Sequence, residues 1–146
     1  MTDRPNQAAH IASVLESVTR LGHVIAAGPR VLFHGRDLTR AQMQALFALA
    51  HDPTPMTPGR LATRLGVTAG AVTQLVTRLR DQGLVETEPH PHDARSRVLR
   101  LTDVAAEEVD RFERATVERL LPRFASVDAD ELSTLAQVLA RITEES

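Results

Sequence analysis

The sequence predicts a mainly helical protein with one small β-hairpin. Along most of its 146 residues, apolar side chains recur at intervals of three and four, the spacing of one helix face. Two short runs between residues 84 and 101 instead show partial alternation around a stretch of Pro, His and Asp, as the strands of a hairpin do. The length fits one domain with one hydrophobic core.

The first two helices have start and stop signals in the sequence. An apolar face over residues 6–27 predicts the first helix, and the Gly28-Pro29 pair ends it. Thr39 and Gln42 have the spacing of a capping box, which predicts the start of the second helix. This helix should end near His51, because the prolines that follow cannot continue it.

Two short helices joined by a tight turn are predicted next. Thr57 precedes a proline and can cap the first of them, which runs to Leu65. Gly66 breaks this helix, and Thr68 can cap the second, which ends before Gly83. Close crossing of two helices needs a small contact residue and a turn that admits a positive φ. Ala62 can be the small contact residue and Gly66 can adopt the positive φ, so the sequence predicts a helix-turn-helix.

The hairpin and two further helices complete the predicted order. The runs 84–88 and 96–101 predict two strands, and we expect a long tip between them. Thr102 can cap a long helix that ends around Pro122. Asp128, with an acidic residue three positions later, predicts the start of the last helix.

Composition and charge exclude several classes of protein. The chain has no cysteine, so it can hold no disulfide, thiolate zinc site or thiol redox sensor. The net charge is −2, but residues 57–102 hold seven Arg against four acids (+3), whereas residues 103–146 hold five against eleven (−6). No run has the length of a membrane span and no signal-peptide pattern is found, so we expect a soluble, cytoplasmic protein.

The second helix of the helix-turn-helix has a distinctive exposed face. The residues not needed for the core are small or polar, as a helix in a major groove would require: Ala69, Gly70, Thr73, Gln74, Thr77 and Arg78. The helix pattern alone is equally typical of an ordinary packed helix pair. The hairpin that follows carries Arg95, Arg97 and Arg100, and such a wing favours double-stranded DNA as the partner.

At this point the sequence resembles the MarR family of bacterial transcription regulators over almost its whole length. The motifs that carry the resemblance, besides the helix-turn-helix, are Leu38-Thr39 with Gln42, Gly83-Leu84-Val85, Asp93-Ala94-Arg95-Ser96 and Leu101-Thr102. The resemblance implies a winged helix-turn-helix lobe over residues 38–102. It also implies that residues 1–37 and 103–146 are dimerisation helices, so that a homodimer binds a pseudo-palindromic operator.

Residue roles follow from the same resemblance. Arg95 would enter the minor groove, and Asp93 would orient the wing by pairing with Arg78 or Arg95. The positions that would face the major groove are Thr68, Ala69, Gly70, Thr73, Gln74 and Arg78. Arg97 is expected to be a further DNA contact on the wing. The family pattern also implies a repressor released by a small anionic aromatic ligand, which polar residues near the hinge could receive: His23, Arg30, His34 and Arg36. Each of these, taken singly, is more typical of a surface or satisfied core group. The position of Gln74 is often basic in such proteins, so the base preference stays open.

Two other interpretations compete with DNA binding. The run His90-Pro91-His92-Asp93 could hold a metal, which would suit a metalloenzyme. Three ligands so close together rarely suffice, and the chain has no HExxH, phosphate loop or Ser/His/Asp signature. We therefore expect no enzyme activity, metal or cofactor. The second alternative is a winged helix that binds another protein, which the net negative charge would suit.

Overall fold

A computed structural model of the chain describes residues 4–28, 33 and 35–143. In these residues six α-helices and one two-stranded antiparallel hairpin follow the predicted order. They are α1 (Arg4–Ala26), α2 (Arg40–His51), α3 (Pro58–Leu65), α4 (Ala69–Asp81), β1 (Val85–His90), β2 (Asp93–Leu101), α5 (Asp103–Leu120) and α6 (Ala129–Thr143). A short 3₁₀ helix, Leu121–Phe124, lies between the last two. Among the described helices, none combines the length and the hydropathy that a membrane span requires.

The chain divides into two compact units. The terminal unit comprises Met1–Pro29 and Ala115–Ser146, and the central lobe comprises Arg30–Arg114. The terminal unit therefore contains α1, the second part of α5, and α6. The central lobe contains α2, α3, α4, the hairpin and the first part of α5.

Capping threonines set the helix starts in the central lobe, as predicted. The hydroxyl of Thr39 accepts the amide N–H of Gln42 at 3.2 Å, and the Gln42 side chain accepts the amide N–H of Thr39 at 2.8 Å. This reciprocal pair satisfies two backbone donors at the start of α2. Three further threonines each accept the amide N–H three residues later at 3.2 Å: Thr57, Thr68 and Thr102.

The turn between α3 and α4 is the predicted helix-turn-helix. Gly66 ends α3 in the left-handed region at φ +65°, where a residue without Cβ is favoured. The amide of Val67 then donates to the Ala62 carbonyl at 3.1 Å, which closes the turn. Val72 is completely buried, in the same core cluster as Leu61 of α3. The turn thereby fixes the direction in which α4 leaves the core.

The core of the central lobe contains side chains from every one of its elements. The largest fully buried residues are Phe33, Leu46, Leu61, Val72, Leu79, Leu84 and Val109. Burial of one such side chain contributes about 1.5 to 3 kcal/mol relative to its exposure. Because α4 contributes Val72, Val76 and Leu79 to this core, its opposite side is left for solvent or for a partner.

The hairpin tip differs from the sequence prediction, which was wrong in expecting a long loop. The strands pair regularly from Val85 with Leu101 to Pro89 with Arg97, and then the register shifts so that His90 pairs with Asp93. A two-residue turn closes the hairpin, and the extra residues 94–96 form a bulge in β2. Pro89 does not prevent pairing, since each strand of a two-stranded ribbon has a free edge where a missing N–H is tolerated.

In the terminal unit, Arg119 of α5 closes the C-terminal end of α1. Its guanidinium donates to the carbonyl groups of Val24 at 3.2 Å and Ile25 at 2.9 Å. A cation at this end of a helix satisfies unpaired carbonyls and complements the helix dipole. A Cβ atom at Gly28 would lie 2.6 Å from the Arg119 Cζ atom, so glycine leaves the space that this contact needs.

Candidate nucleic-acid interface

The predicted contact residues of α4 all lie exposed on this helix or at its cap. Thr68 is the N-cap, and the others fall in two adjacent rows of i, i+4 spacing on the side away from the buried residues. One row contains Ala69, Thr73 and Thr77, and the other contains Gly70, Gln74 and Arg78. Through its first two turns this face carries no charge, and the basic residues of α4 lie in its last turn.

Hydrogen bonds within α4 fix two of its threonines. The Thr73 hydroxyl donates to the Ala69 carbonyl at 3.0 Å, and the Thr77 hydroxyl donates to the Thr73 carbonyl at 2.8 Å. Each hydroxyl oxygen therefore retains only acceptor capacity toward a partner. At Gly70, no atom lies within 4 Å of the position that a Cβ would occupy, so the surface there is open.

A groove lies beside the second row of α4, against α2. It has a volume of about 210 Å³. Gln74 and Arg78 line it from α4, and Gln42 and Gln44 line it from α2. Gln44 is exposed and lines this groove together with two predicted contact residues, although the sequence pattern does not predict Gln44 as a contact. Gln44 belongs to no motif and is a single polar residue beside buried positions of α2, so the sequence alone does not mark it as a DNA contact.

Asp93 holds the wing tip through partners other than those predicted. Its carboxylate accepts the Arg95 amide N–H at 3.0 Å and the Ser96 hydroxyl at 2.8 Å. These two bonds, that from Ser96 first, hold the pKa of the Asp93 carboxyl below its ordinary value. The expectation that Asp93 pairs with the guanidinium of Arg78 or Arg95 was wrong, because the carboxylate turns back onto its own bulge.

Ion pairs reduce the positive charge that the central lobe can offer a partner. Residues 57–102 contain seven arginines, of which Arg60 and Arg64 bind the Asp52 carboxylate at 3.4 and 3.2 Å. Arg100 binds Glu88 at 3.1 Å across the hairpin. Within the described residues, the other four have no ion-pair partner: Arg78, Arg80, Arg95 and Arg97. Two of these lie in the last turn of α4 and two on the wing.

Thr102 joins the base of the wing to the helices on either side. Its amide donates to the Leu84 carbonyl at 3.1 Å, and its hydroxyl donates to the Gly83 carbonyl at 2.7 Å. The same hydroxyl accepts from the Ala105 amide at the start of α5. One residue thus fixes the end of β2, the start of α5 and the turn that follows α4.

The histidines near the wing tip form a local contact. The Nδ1 atom of His90 accepts the His92 amide N–H at 3.1 Å, which stabilises the turn. Over the described ranges, no group of three or more His, Asp or Glu side chains is placed to hold a metal ion. The metal alternative for residues 90–93 therefore gains no support.

The four residues considered for an effector are only partly described. Arg30 and His34 lie outside the described residues. His23 is exposed on α1 in the terminal unit. Arg36 is exposed in the central lobe, in a tight turn whose backbone pairs with the buried Phe33 by two 2.9 Å hydrogen bonds. His23 and Arg36 therefore belong to different units of the chain.

Comparison with known proteins gives the same assignment as the fold. A family model described as the MarR family matches residues 36–96. An uncharacterised HTH-type transcriptional regulator of Mycobacterium leprae is 34% identical over 109 residues, covering 73% of this chain and 76% of the relative. The multiple antibiotic resistance protein MarR of Escherichia coli is 30% identical, covering 73% and 74%.

A solved structure extends the similarity to three dimensions. A MepR mutant of S. aureus, bound to an oligodeoxyribonucleotide, is similar with a TM-score of 0.60 over 88% of this chain and 94% of that one. The two sequences are 19% identical, so this likeness concerns the fold alone. The family and these relatives are transcriptional regulators and not enzymes. With its helix-turn-helix, its wing and these relatives, the chain belongs to the MarR family of winged helix-turn-helix transcriptional regulators.

Proposed function

We propose that this protein binds double-stranded DNA sequence-specifically as a homodimer, with α4 in the major groove and the β1–β2 wing in the minor groove. One observation carries the proposal: the side of α4 that the core does not use is exposed, and through two turns its side chains are small or polar and uncharged. A helix that faces only solvent usually carries more charge. A major groove about 12 Å wide admits a slim helix of this kind.

The wing supports the same proposal. Arg95 and Arg97 are exposed and lack an ion pair in the described part of the chain. A guanidinium in a narrow minor groove gains from the concentrated negative potential there. Because Asp93 is bonded to the backbone of Arg95, the wing would present this side chain from an ordered bulge. This arrangement suits a polyanion better than it suits a protein partner.

The dimer proposal rests on the apolar surface of the terminal unit. Ten large apolar side chains there are at least 38% exposed in the single chain, a surface that a monomer in water rarely displays. They are Ile11, Val14, Leu15, Val18, Leu21, Ile25, Val117, Leu121, Leu135 and Ile142. Burial of this surface between two copies would give a two-fold symmetric protein, which matches a pseudo-palindromic operator.

We further propose that DNA binding represses transcription and that a small anionic aromatic ligand releases the DNA. Arg36 is exposed and has no ion pair in the described residues, so its guanidinium could receive a carboxylate in two parallel hydrogen bonds. His23, Arg30 and His34 are the other proposed contacts. Aromatic carboxylates should dissociate the protein–DNA complex in an anisotropy titration, and Arg36→Ala should raise the concentration required. A panel that never releases the DNA would refute this mode of regulation.

The experiment that tests DNA binding compares two glycines at the same helix position. Gly59 and Gly70 are each the second residue of a helix, α3 and α4 respectively, and a Cβ at either would meet nothing closer than 4.0 Å. Gly70→Leu should abolish specific binding to operator fragments found by a genomic binding map, because bulk there keeps α4 out of the groove. Gly59→Leu should leave it intact, and circular dichroism should show full helicity for both. Tight operator binding by Gly70→Leu would refute the proposed groove contact.

A further inference from the structure

We propose that α4 reads the methyl groups of thymine, together with the amino groups of adenine or cytosine, through a row of small side chains that runs from its first turn into its third. This inference rests on the proposed DNA-binding function and specifies the chemistry of the half-site. The row contains Ala69, Thr73 and Thr77, all exposed and spaced by four residues.

The first argument is the absence of a cation from this part of the helix. The most common specific base contact is a bidentate bond from Arg or Lys to guanine O6 and N7. Between Ala69 and Thr77, α4 carries no basic residue, and its arginines lie in the last turn. The first two turns therefore lack the guanidinium or ammonium group that makes the most common guanine contact.

The second argument concerns the threonine hydroxyls. Those of Thr73 and Thr77 donate to the carbonyls four residues earlier at 3.0 and 2.8 Å. With the proton committed, each oxygen can only accept, and the donors in the major groove are adenine N6 and cytosine N4. The same bond fixes χ1, so each threonine methyl group occupies one defined position on the exposed surface.

The third argument concerns how closely DNA can approach α4 at Gly70, which lies in the neighbouring row. Gly70 has no side chain, and the space where its Cβ would lie is empty to 4 Å. The thymine C5-methyl group projects into the major groove, where it can meet an apolar methyl from Ala or Thr. The methyl groups of Ala69 and Thr73 lie in the row beside Gly70, so this part of α4 offers an apolar surface with room for a thymine methyl.

The test uses operator DNA in which deoxyuridine replaces thymine, one position at a time, which removes only the C5-methyl group. At least one replacement in each half-site should weaken binding about fourfold, the effect of exposing one buried methyl group. Thr73→Ser keeps the hydroxyl but loses the methyl group. It should weaken binding to thymine DNA, and its effect should shrink on DNA with deoxyuridine at the contacted position.

The matched control is Thr63→Ser. Thr63 is exposed on α3 and makes the same kind of bond, to the Gly59 carbonyl at 3.3 Å. The effect of Thr63→Ser on the dissociation constant should be the same for thymine DNA and for deoxyuridine DNA. If no deoxyuridine replacement changes the dissociation constant while 7-deazaguanine weakens binding, the helix reads guanine and the inference is wrong. If the protein shows no preference for any DNA fragment, the proposed function itself fails, which is a separate outcome.

Discussion

Asp93 accepts a hydrogen bond of 2.8 Å from the hydroxyl group of Ser96, three residues along the same strand. A second bond, from the Arg95 amide, makes Asp93 the acceptor for two donors of the bulge. The wing tip is thus ordered by contacts local in sequence. Arg95, whose side chain is proposed to enter the minor groove, lies between Asp93 and Ser96 in the sequence and donates one of these bonds through its own amide.

We expect Ser96→Ala to loosen this bulge and to weaken DNA binding severalfold. The change removes the hydroxyl group that donates to the Asp93 carboxylate, but the bond from the Arg95 amide to this carboxylate remains. Hydrogen exchange of the amides of residues 94–96 should accelerate, whereas exchange in α4 should not change. Ser96→Thr keeps a hydroxyl and should restore both properties. Unchanged exchange in Ser96→Ala would mean that the hydroxyl does not order the wing.

A second prediction concerns the pH dependence of stability. The Asp52 side chain, only 5% exposed, accepts the Thr54 amide N–H at 2.9 Å and binds Arg60 and Arg64. The bond from Thr54, followed by the two arginines, holds the pKa of Asp52 below its ordinary value of 3.8. A lowered pKa stabilises the fold above pH 3.8, and this contribution is lost as the pH falls through the folded-state pKa.

Asp52→Asn should therefore lower the free energy of unfolding at pH 7 by about 1 to 2 kcal/mol. The difference from the natural protein should begin to shrink as the pH falls below 3.8, and it should close only below the folded-state pKa of Asp52, where the carboxyl is protonated in the folded protein as well. Urea unfolding at several pH values measures it. Asp81→Asn, which changes an exposed acid without an ion pair in the described residues, is the control and should have little effect at any pH. A pH-independent difference for Asp52→Asn would contradict the ionic origin of this stabilisation.

The third prediction tests the proposed dimer. Leu135 is 47% exposed on α6, and an aspartate there would place a charge in the proposed interface. Leu135→Asp should yield monomer or unfolded chain at micromolar concentration in sedimentation experiments. Val67→Asp changes a residue that is 41% exposed in the turn between α3 and α4, in the central lobe, and should leave the oligomer intact. A natural protein that sediments as a stable folded monomer would refute the dimer.

Helix starts could be predicted from the sequence because a cap is a local interaction. Thr39 and Gln42 meet across three residues, so their spacing already contains the geometry of the capping box. The same reasoning identified the caps at Thr57 and Thr68. The position of α4 followed from these caps and from its apolar periodicity.

The partners of charged side chains could not be predicted in the same way. Asp52 meets Arg60 and Arg64 only because the loop after α2 folds back against α3. The wing tip was predicted too long because the three-residue bulge depends on how one carboxylate turns, which alternation of apolar residues does not reveal. A count of arginines likewise overstated the free positive charge of the central lobe, since several are paired in the folded protein.

The last prediction separates the wing from α4. Arg95 would contact the minor groove and contribute to counterion release, so Arg95→Ala should weaken binding to many sequences and lower the salt slope by about one unit per subunit. Arg95→Lys keeps the charge and should keep the slope.

Gln74 is uncharged, so Gln74→Ala should leave the slope unchanged while costing about 1 to 3 kcal/mol on the operator and little on random DNA. Dissociation constants on both DNAs at several salt concentrations measure these effects. A slope unchanged by Arg95→Ala would remove the wing from the mechanism, and an equal loss on all sequences would show that Gln74 reads no base.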